Sequence, residues 1–272
     1  MRVAAVFRNQ IIGLVRFSYP SNGGFTKTVA DPAALEAQLY DPDRLQRRFD
    51  LFEKLTLPSL LAQTDDGFQT VFLTGRNLPE PAMKRLRDVV APLKGAKVVA
   101  MAAFKHYPAM QRAFAGLRND SASHFTSFRL DDDDALDRGF VTRLRKITRA
   151  LVTARGSDRP LAVGFNRGLF LEKKAEGNTL YEVTEKLPLG IGLGLCVPAG
   201  SDENIFRRNH RHLPQYYSTY TDADTPAFIR SVHADNDSQP NASGLIAHPS
   251  DDELRAMLKR HFPFTLEQLR GF

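Results

Sequence analysis

Four aspartates, Asp131, Asp132, Asp133 and Asp134, follow directly on the apolar run FTSFRL at residues 125–130. Adjacent carboxylates repel, and at least one of them must have its pKa raised unless a partner is present. A divalent cation removes that penalty, because hard ions such as Mg²⁺ or Mn²⁺ take carboxylate and phosphate oxygens together. On extended backbone alternate side chains share a side. Asp131 and Asp133 would then face one way, and Asp132 and Asp134 the other. One pair can serve a metal and a nucleotide while the other anchors the loop or a neighbouring arginine. The plainer alternative is an acidic helix N-cap. It accounts for Asp134 or Asp137, but not for four carboxylates immediately after an apolar strand.

Other chemistries fit less well. A calcium loop starting at Asp131 needs Gly at its sixth position and Glu at its twelfth, where the chain has Leu136 and Thr142. The chain has no Walker sequence, GxGxxG, HExxH, paired CxxC or GxSxG. The single cysteine, Cys196, lies in the apolar run GIGLGLCVP and reads as a small core residue.

The elements that must position the acidic run follow from periodicity. Strands are expected at residues 11–17 (IIGLVRF), 69–74, 97–101 and 125–130, and helices at 43–63, 79–91 and 108–118. Pro58 should start a new turn or kink the first of these helices. Alternation of this kind predicts an α/β fold, with a mostly parallel Rossmann-like nucleotide-binding sheet flanked by helices. Ligands bind beyond the carboxyl ends of such strands, which is where the aspartates fall. A helix over 137–154 follows, with Arg143, Arg145, Lys146 and Arg149 around its apolar stripe. These read as a solvated face, or as a surface that touches anionic lipid.

Later runs, LAVGFNRGLFL, TLYEVT and GIGLGLCVP, predict a smaller antiparallel acceptor-side region, with a hairpin turn at 172–178. Residues 214–225 read as a loop, with 216–225 a lid that closes to exclude water. The chain reads as one domain over 1–272. Its nucleotide-binding half is 1–136, its acceptor-side half 137–250, and its terminal helices lie in 251–272.

The formal charge of +6 comes from 37 basic and 31 acidic residues that are interspersed. A nucleic-acid binder concentrates basic charge on one face, so no nucleic-acid partner is expected. A mild positive excess suits an enzyme for anionic small molecules. No stretch approaches the ~18 apolar residues of a membrane span, and the N-terminus reads poorly as a signal peptide. The expected location is cytoplasmic, with peripheral contact at the inner face of the membrane.

At Leu130-Asp131-Asp132-Asp133-Asp134 the chain resembles A-type glycosyltransferases, whose signature is an Asp-x-Asp motif after a strand. With LVRFSYP at 14–20, LPSLLAQT at 57–64, FRLDDDDAL and SVHADNDS at 231–238, it resembles more narrowly the rhamnosyltransferase family. The resemblance implies that Asp133 binds the metal bridging the donor diphosphate. It implies that Asp131 contacts the ribose, or the metal through water. Arg16 and Ser18 would lie near the nucleotide, with Asp132 and Asp134 on the donor side, and His233 would complete the metal shell. The bland alternative for His233 is a loop histidine bonded to Asp235 or Asp237. Relatives use a carboxylate as base, but their Glu-Asp motif is not clear here. Glu203 and Asp235 are the candidates, and Asp202 reads as a helix cap. His210 and His212 face either the acceptor or solvent.

The reaction implied is transfer of a sugar, rhamnose in the family's case, from a nucleoside-diphosphate donor to a glycan, polysaccharide or other hydroxyl acceptor. Mn²⁺ or Mg²⁺ would stabilise charge on the leaving diphosphate, and Arg16 or Arg129 would add charge-assisted hydrogen bonds. A single displacement inverts the anomeric centre. Two alternatives keep the acidic run: a non-catalytic nucleotide- or carbohydrate-binding protein, and a metal-dependent phosphohydrolase.

Overall fold

The computed structural model describes residues 7–23, 31–156, 159–233 and 242–271. Apolar runs bounded by turn residues form its strands, and amphipathic stretches between them form its helices. In chain order the first elements are β1 (Asn9–Arg16), β2 (Ser21–Asn22), α1 (Pro32–Leu39), α2 (Pro42–Leu51), a π-helical turn (Phe52–Thr56), α3 (Leu57–Leu61), β3 (Gln69–Gly75) and α4 (Glu80–Val90). Next come β4 (Ala96–Met101), β5 (Phe104–Lys105), α5 (His106–Ala115), β6 (His124–Asp131), β7 (Ala135–Leu136) and α6 (Phe140–Arg155). The second half holds β8 (Leu161–Phe165), β9 (Arg167–Glu172), β10 (Thr179–Thr184), β11 (Leu193–Pro198) and a 3-10 helix (His210–Gln215). It ends with β12 (Ser218–Asp222), β13 (Phe228–Val232), β14 (Leu245–Ala247), α7 (Asp251–His261) and α8 (Leu266–Arg270).

Among the described residues, seven strands form the main sheet in the order β12-β8-β11-β6-β1-β3-β4. Every pairing in it is parallel except those of β11, which runs antiparallel to both β6 and β8. The run GIGLGLCVP thus supplies a strand to the main sheet. Strands covered on both faces read as continuous apolar runs, and this sheet is covered on both. Phe17, Phe52, Phe72, Phe128 and Phe140 pack in one cluster, and Leu14, Val71, Met110, Phe114 and Phe125 in another. Cys196 is buried in the core as expected, and burial pushes its thiol up to about 11.

A second sheet runs β14-β10-β9-β13-β7. It is antiparallel apart from the β9–β13 pair. One face packs Leu171, Leu180 and Ile229 against Leu258 of α7, Phe262 just after it and Leu266 of α8. β6 ends at Asp131 in the main sheet, and β7 starts at Ala135 in the second. Asp132, Asp133 and Asp134 are therefore the link between the two sheets.

The helix over 43–63 changes its winding just before Pro58, as expected, and α3 begins there with Pro58 in its first turn. Leu57 N–H donates to the Phe52 carbonyl five residues back, and this wider turn makes room for the proline ring just beyond it. Within the expected lid, Ser218–Asp222 is a strand paired with β8 at the edge of the main sheet. Its side chains are mostly half-buried or exposed, so it shows no apolar face that would mark it as a strand. Finally, α6 starts only at Phe140, capped by Gly139 with no side-chain bond. The short strand β7 separates it from the acidic run.

Candidate functional site

β1 and β6 are parallel neighbours whose register puts Arg16 opposite Asp131 at their carboxyl ends. The side chains complete that pairing. Arg16 Nη2 donates to Asp131 Oδ1 at 2.8 Å, and Arg129 Nη2 reaches Asp131 Oδ2 at 3.4 Å. Asp131 has a third of its side chain exposed, while those of Asp132 and Asp133 are 1% and 7% exposed. Burial alone would raise the Asp131 pKa, but the Arg16 and Arg129 guanidinia hold it well below the usual carboxylate range. Arg129 lies across Gly190, where an added Cβ would stand 2.9 Å from the guanidinium carbon.

Immediately after β1, Ser18 adopts φ +46°. That region is uncommon for a residue other than glycine, and such strain gathers at functional sites. Ser18 is buried, and its Oγ accepts from Arg44 Nη1 at 3.2 Å.

The remaining three aspartates each have a protein partner. Arg48, on the buried face of α2, grips Asp132 through Nε at 3.3 Å and through Nη2, and donates to Asp133 Oδ2 from Nη1 at 2.8 Å. Burial and the neighbouring Asp133 charge push Asp132 up to about 6 against the opposing pull of Arg48. Asp133 is shifted down instead, since Arg48 and His233 together outweigh the cost of its burial. Asp134 Oδ1 accepts from the Ser231 backbone N–H at 2.9 Å. Burial, with Asp133 and Asp131 nearby, raises its pKa well above the ordinary value. It is the carboxyl most inclined to hold a proton, as four adjacent carboxylates require. Asp137 forms a separate buried pair with Arg143, at 2.8 and 2.6 Å.

The second sheet delivers the histidine. β7 pairs with β13 through Ala135 and Ile229, and β13 leads into His233, whose Nε2 lies 2.9 Å from Asp133 Oδ2. Two cis ligands of an octahedral ion, each about 2.1 Å from it, stand about 3.0 Å apart. The Asp133–His233 contact is a hydrogen bond as it stands, and its length is also compatible with two ligands of one divalent cation. The Asp131 carboxylate is turned to Arg16 and Arg129. No cluster of three metal-ligating side chains is assembled among the described residues.

Two half-buried imidazoles complete the surroundings of Asp131. His106, at the start of α5, bonds Ser21 Oγ through Nδ1 at 3.1 Å. Burial depresses it to about 3, helped by Arg16 and Arg129. His210 is likewise depressed to about 3 by burial, Arg129 and Arg211. His212 is exposed.

Glu203 lies on the loop after β11, with Arg207 at 3.9 Å. No hydrogen bond or ion pair joins it to the acidic run among the described residues. Asp202 caps no helix, and instead accepts from Gln111 Nε2 at 3.1 Å. Asp235 and Asp237 lie outside the described residues. On α6, Arg143 and Arg145 are tied to Asp137 and Asp65, which removes two of the four basic groups from any lipid-facing surface. No helix among the described residues is long and apolar enough to cross a membrane.

Sequence reasoning missed Arg48 and His106. Arg48 left a readable signal: it follows Leu45 by three residues and precedes Phe52 by four, so a charge sits on the apolar stripe of its helix. Only buried carboxylates make that tolerable.

A family model described as "Putative rhamnosyl transferase" matches residues 10–244. No curated protein matches the chain. Among solved structures, TarS of S. aureus aligns with TM-score 0.43 and 11% identity, over 82% of this chain and 37% of that one. Its 1–349 fragment in complex with UDP aligns with TM-score 0.42 and 10% identity, over 82% and 60%. Mouse xyloside xylosyltransferase 1, apo form, aligns with TM-score 0.28 and 12% identity, over 57% and 53%. The chain thus spans less than two thirds of each of these proteins.

Proposed function

The chain belongs to the family described as "Putative rhamnosyl transferase", and from that premise we propose that it transfers a sugar from a nucleoside-diphosphate donor to a hydroxyl of a glycan acceptor. Rhamnose is the first donor sugar to try, on the strength of the family's description. The observation that carries the reading is the juxtaposition at the sheet junction. The Arg16–Asp131 pair at the strand ends stands beside the Asp133–His233 contact at 2.9 Å.

In this reading Asp131 takes the ribose hydroxyls, since it is the aspartate of the run open to solvent and is ionised at any working pH. Arg16 and Arg129 donate to diphosphate oxygens, where charge gathers as the glycosidic bond breaks. Ser18 helps to shape the floor beside them. Asp133 and His233 would hold a Mn²⁺ or Mg²⁺ ion, which when bound supplies Lewis-acid stabilisation of the leaving diphosphate. Asp132 and Arg48 fix the Asp133 side chain, and Asp134 ties the run to β13. A carboxylate, Glu203 or Asp235, takes the proton of the acceptor hydroxyl as it attacks, and direct displacement inverts the anomeric carbon.

A screen of the purified chain against sugar nucleotides with Mn²⁺, read by thermal shift, tests the reading. A ligand that binds only the folded chain raises its melting temperature. A shift that needs both nucleotide and Mn²⁺ supports the proposal. A shift with Mn²⁺ alone favours a structural cation in a non-catalytic protein.

A further inference from the structure

We propose that the hollow formed by β9, β10 and β14 binds neutral pyranose units of the glycan acceptor, an inference that rests on the transferase reading above. A cavity of about 700 Å³ opens there, lined by Glu172, Lys174, Thr179, Tyr181, Ile246 and His248 among others. Its size falls within the roughly 300–1,000 Å³ of pockets that enclose small ligands.

The register of the sheet sets these side chains on one face. Thr179 pairs with Glu172 and Tyr181 with Phe170 across β9 and β10. Val183 pairs with Ile246 across β10 and β14. Alternate residues of a strand share a face, so Glu172, Phe170, Thr179, Tyr181 and Ile246 lie together. His248 continues that face, with its ring centroid 6.0 Å from that of Tyr181. On the opposite face Leu171 packs against α7 and α8, and Leu180, which packs there too, also borders the hollow.

The hollow is linked to the proposed reaction centre through β13. β13 flanks β9 on its other side, and Val232 is in register with Glu172. The next residue along β13 is His233, which touches Asp133. One strand spacing, about 5 Å, therefore separates the edge of the hollow from the residue before the proposed metal ligand.

The lining selects the ligand class. A pyranose offers an apolar C–H face and a rim of hydroxyls. Tyr181, His248 and Ile246 supply ring and aliphatic surface, with Ile246 about half exposed. Glu172 accepts, Lys174 donates, and Thr179 does both. These polar groups are already organised, with Lys174 Nζ 3.0 Å from Glu172 Oε2 and Thr179 Oγ1 donating to the same oxygen at 3.3 Å. Glu172 offsets the charge of Lys174, and Arg230 lies over the Phe170 ring on the same face. A diphosphate would have to sit against the Glu172 carboxylate, so the lining favours a neutral polyol.

Saturation-transfer NMR on the full chain tests the proposal. The probes are methyl rhamnoside, glucoside, galactoside, mannoside and N-acetylglucosaminide, with the corresponding disaccharides, at millimolar concentration. At least one probe is expected to bind the wild type. Tyr181→Ala should weaken that probe tenfold or more, and Glu172→Gln severalfold. Tyr181 packs on Phe170, so loss of fold could mimic the first result. Glu172→Gln changes one half-exposed group and keeps the test open. No binding by any probe to the wild type, or binding unchanged in both variants, overturns the proposal. Release of nucleoside diphosphate from sugar nucleotides by the wild type is measured alongside. Sugar binding without release supports the hollow and sinks the transferase reading. Release without sugar binding does the reverse.

Discussion

Replacing Arg48 by methionine should destabilise the fold more than any exposed substitution, and by an amount that depends on pH. The Arg48 side chain is 9% exposed, and it is shared by two carboxylates that are 1% and 7% exposed. Removing one partner of a buried pair costs about 3–5 kcal/mol, because the remaining charge is left in a poor solvent. At about 2–4 °C per kcal/mol for a chain of this size, the melting temperature should fall by at least ~6 °C at neutral pH. The sign of the pH dependence follows from the shifts. In the wild type, Asp133 lies below its ordinary value. The stability it contributes is complete above the unfolded pKa and drains away as pH falls through the folded one. In Arg48→Met the buried carboxylates lose their counter-charge and their pKa values rise. The penalty is then full at neutral pH and shrinks on acidification as they take up protons. The chain has no tryptophan, so far-UV circular dichroism at pH 7.5 and 5 is the suitable probe. A melting temperature within ~2 °C of wild type at pH 7.5, or a deficit that does not narrow at pH 5, would refute this account of Arg48.

Other outcomes follow from the same geometry. Asp133→Asn should lower turnover by at least roughly 10–100-fold, the scale of damage to groups around a metal, while the circular dichroism spectrum stays native. Mn²⁺ with a nucleoside diphosphate should raise the wild-type melting temperature but not that of His233→Ala; an equal rise in both would remove His233 from the ligand set. Gly13→Ala should cost about 1–3 kcal/mol in urea denaturation through overpacking, since an added Cβ would lie 2.2 Å from the Phe128 ring. His106 is depressed to about 3, so it stays neutral in the fold while the unfolded chain takes up a proton below pH 6.5. That stability is whole above pH 6.5 and lost as pH falls towards 3, roughly 1 kcal/mol between pH 6 and 5 after allowing for partial exposure. His106→Gln should flatten the urea midpoint over that range.

Much of this arrangement was legible in the residues. FTSFRL reads as a strand because apolar and β-prone residues run unbroken into the aspartates, and IIGLVRF at 11–17 reads likewise, though the strand itself spans Asn9–Arg16. Their parallel pairing follows from the intervening helices, and it brings Arg16 to Asp131. The contact of His233 with Asp133 was accessible only through family resemblance. It depends on β13 pairing with β7, a two-residue strand that carries no pattern of its own. Arg48 went unread because a basic residue on a helix is normally solvated, and only its place on the apolar stripe marks it. Ser218–Asp222 was misread because an edge strand with few buried side chains has the composition of a loop. Glu203 rests on the resemblance alone, since nothing joins it to the acidic run among the described residues, and Asp235 lies outside them.

The most direct measurement is mass spectrometry of nucleoside diphosphate released when the purified chain meets a panel of sugar nucleotides, a rhamnose donor included, with Mn²⁺ and a glycan acceptor. Release matched by glycoside formed, and abolished in a folded Asp133→Asn variant, is the predicted result. Silence across the whole panel, or undiminished release by that variant, would contradict the claim that sugar transfer takes place at the junction of the two sheets.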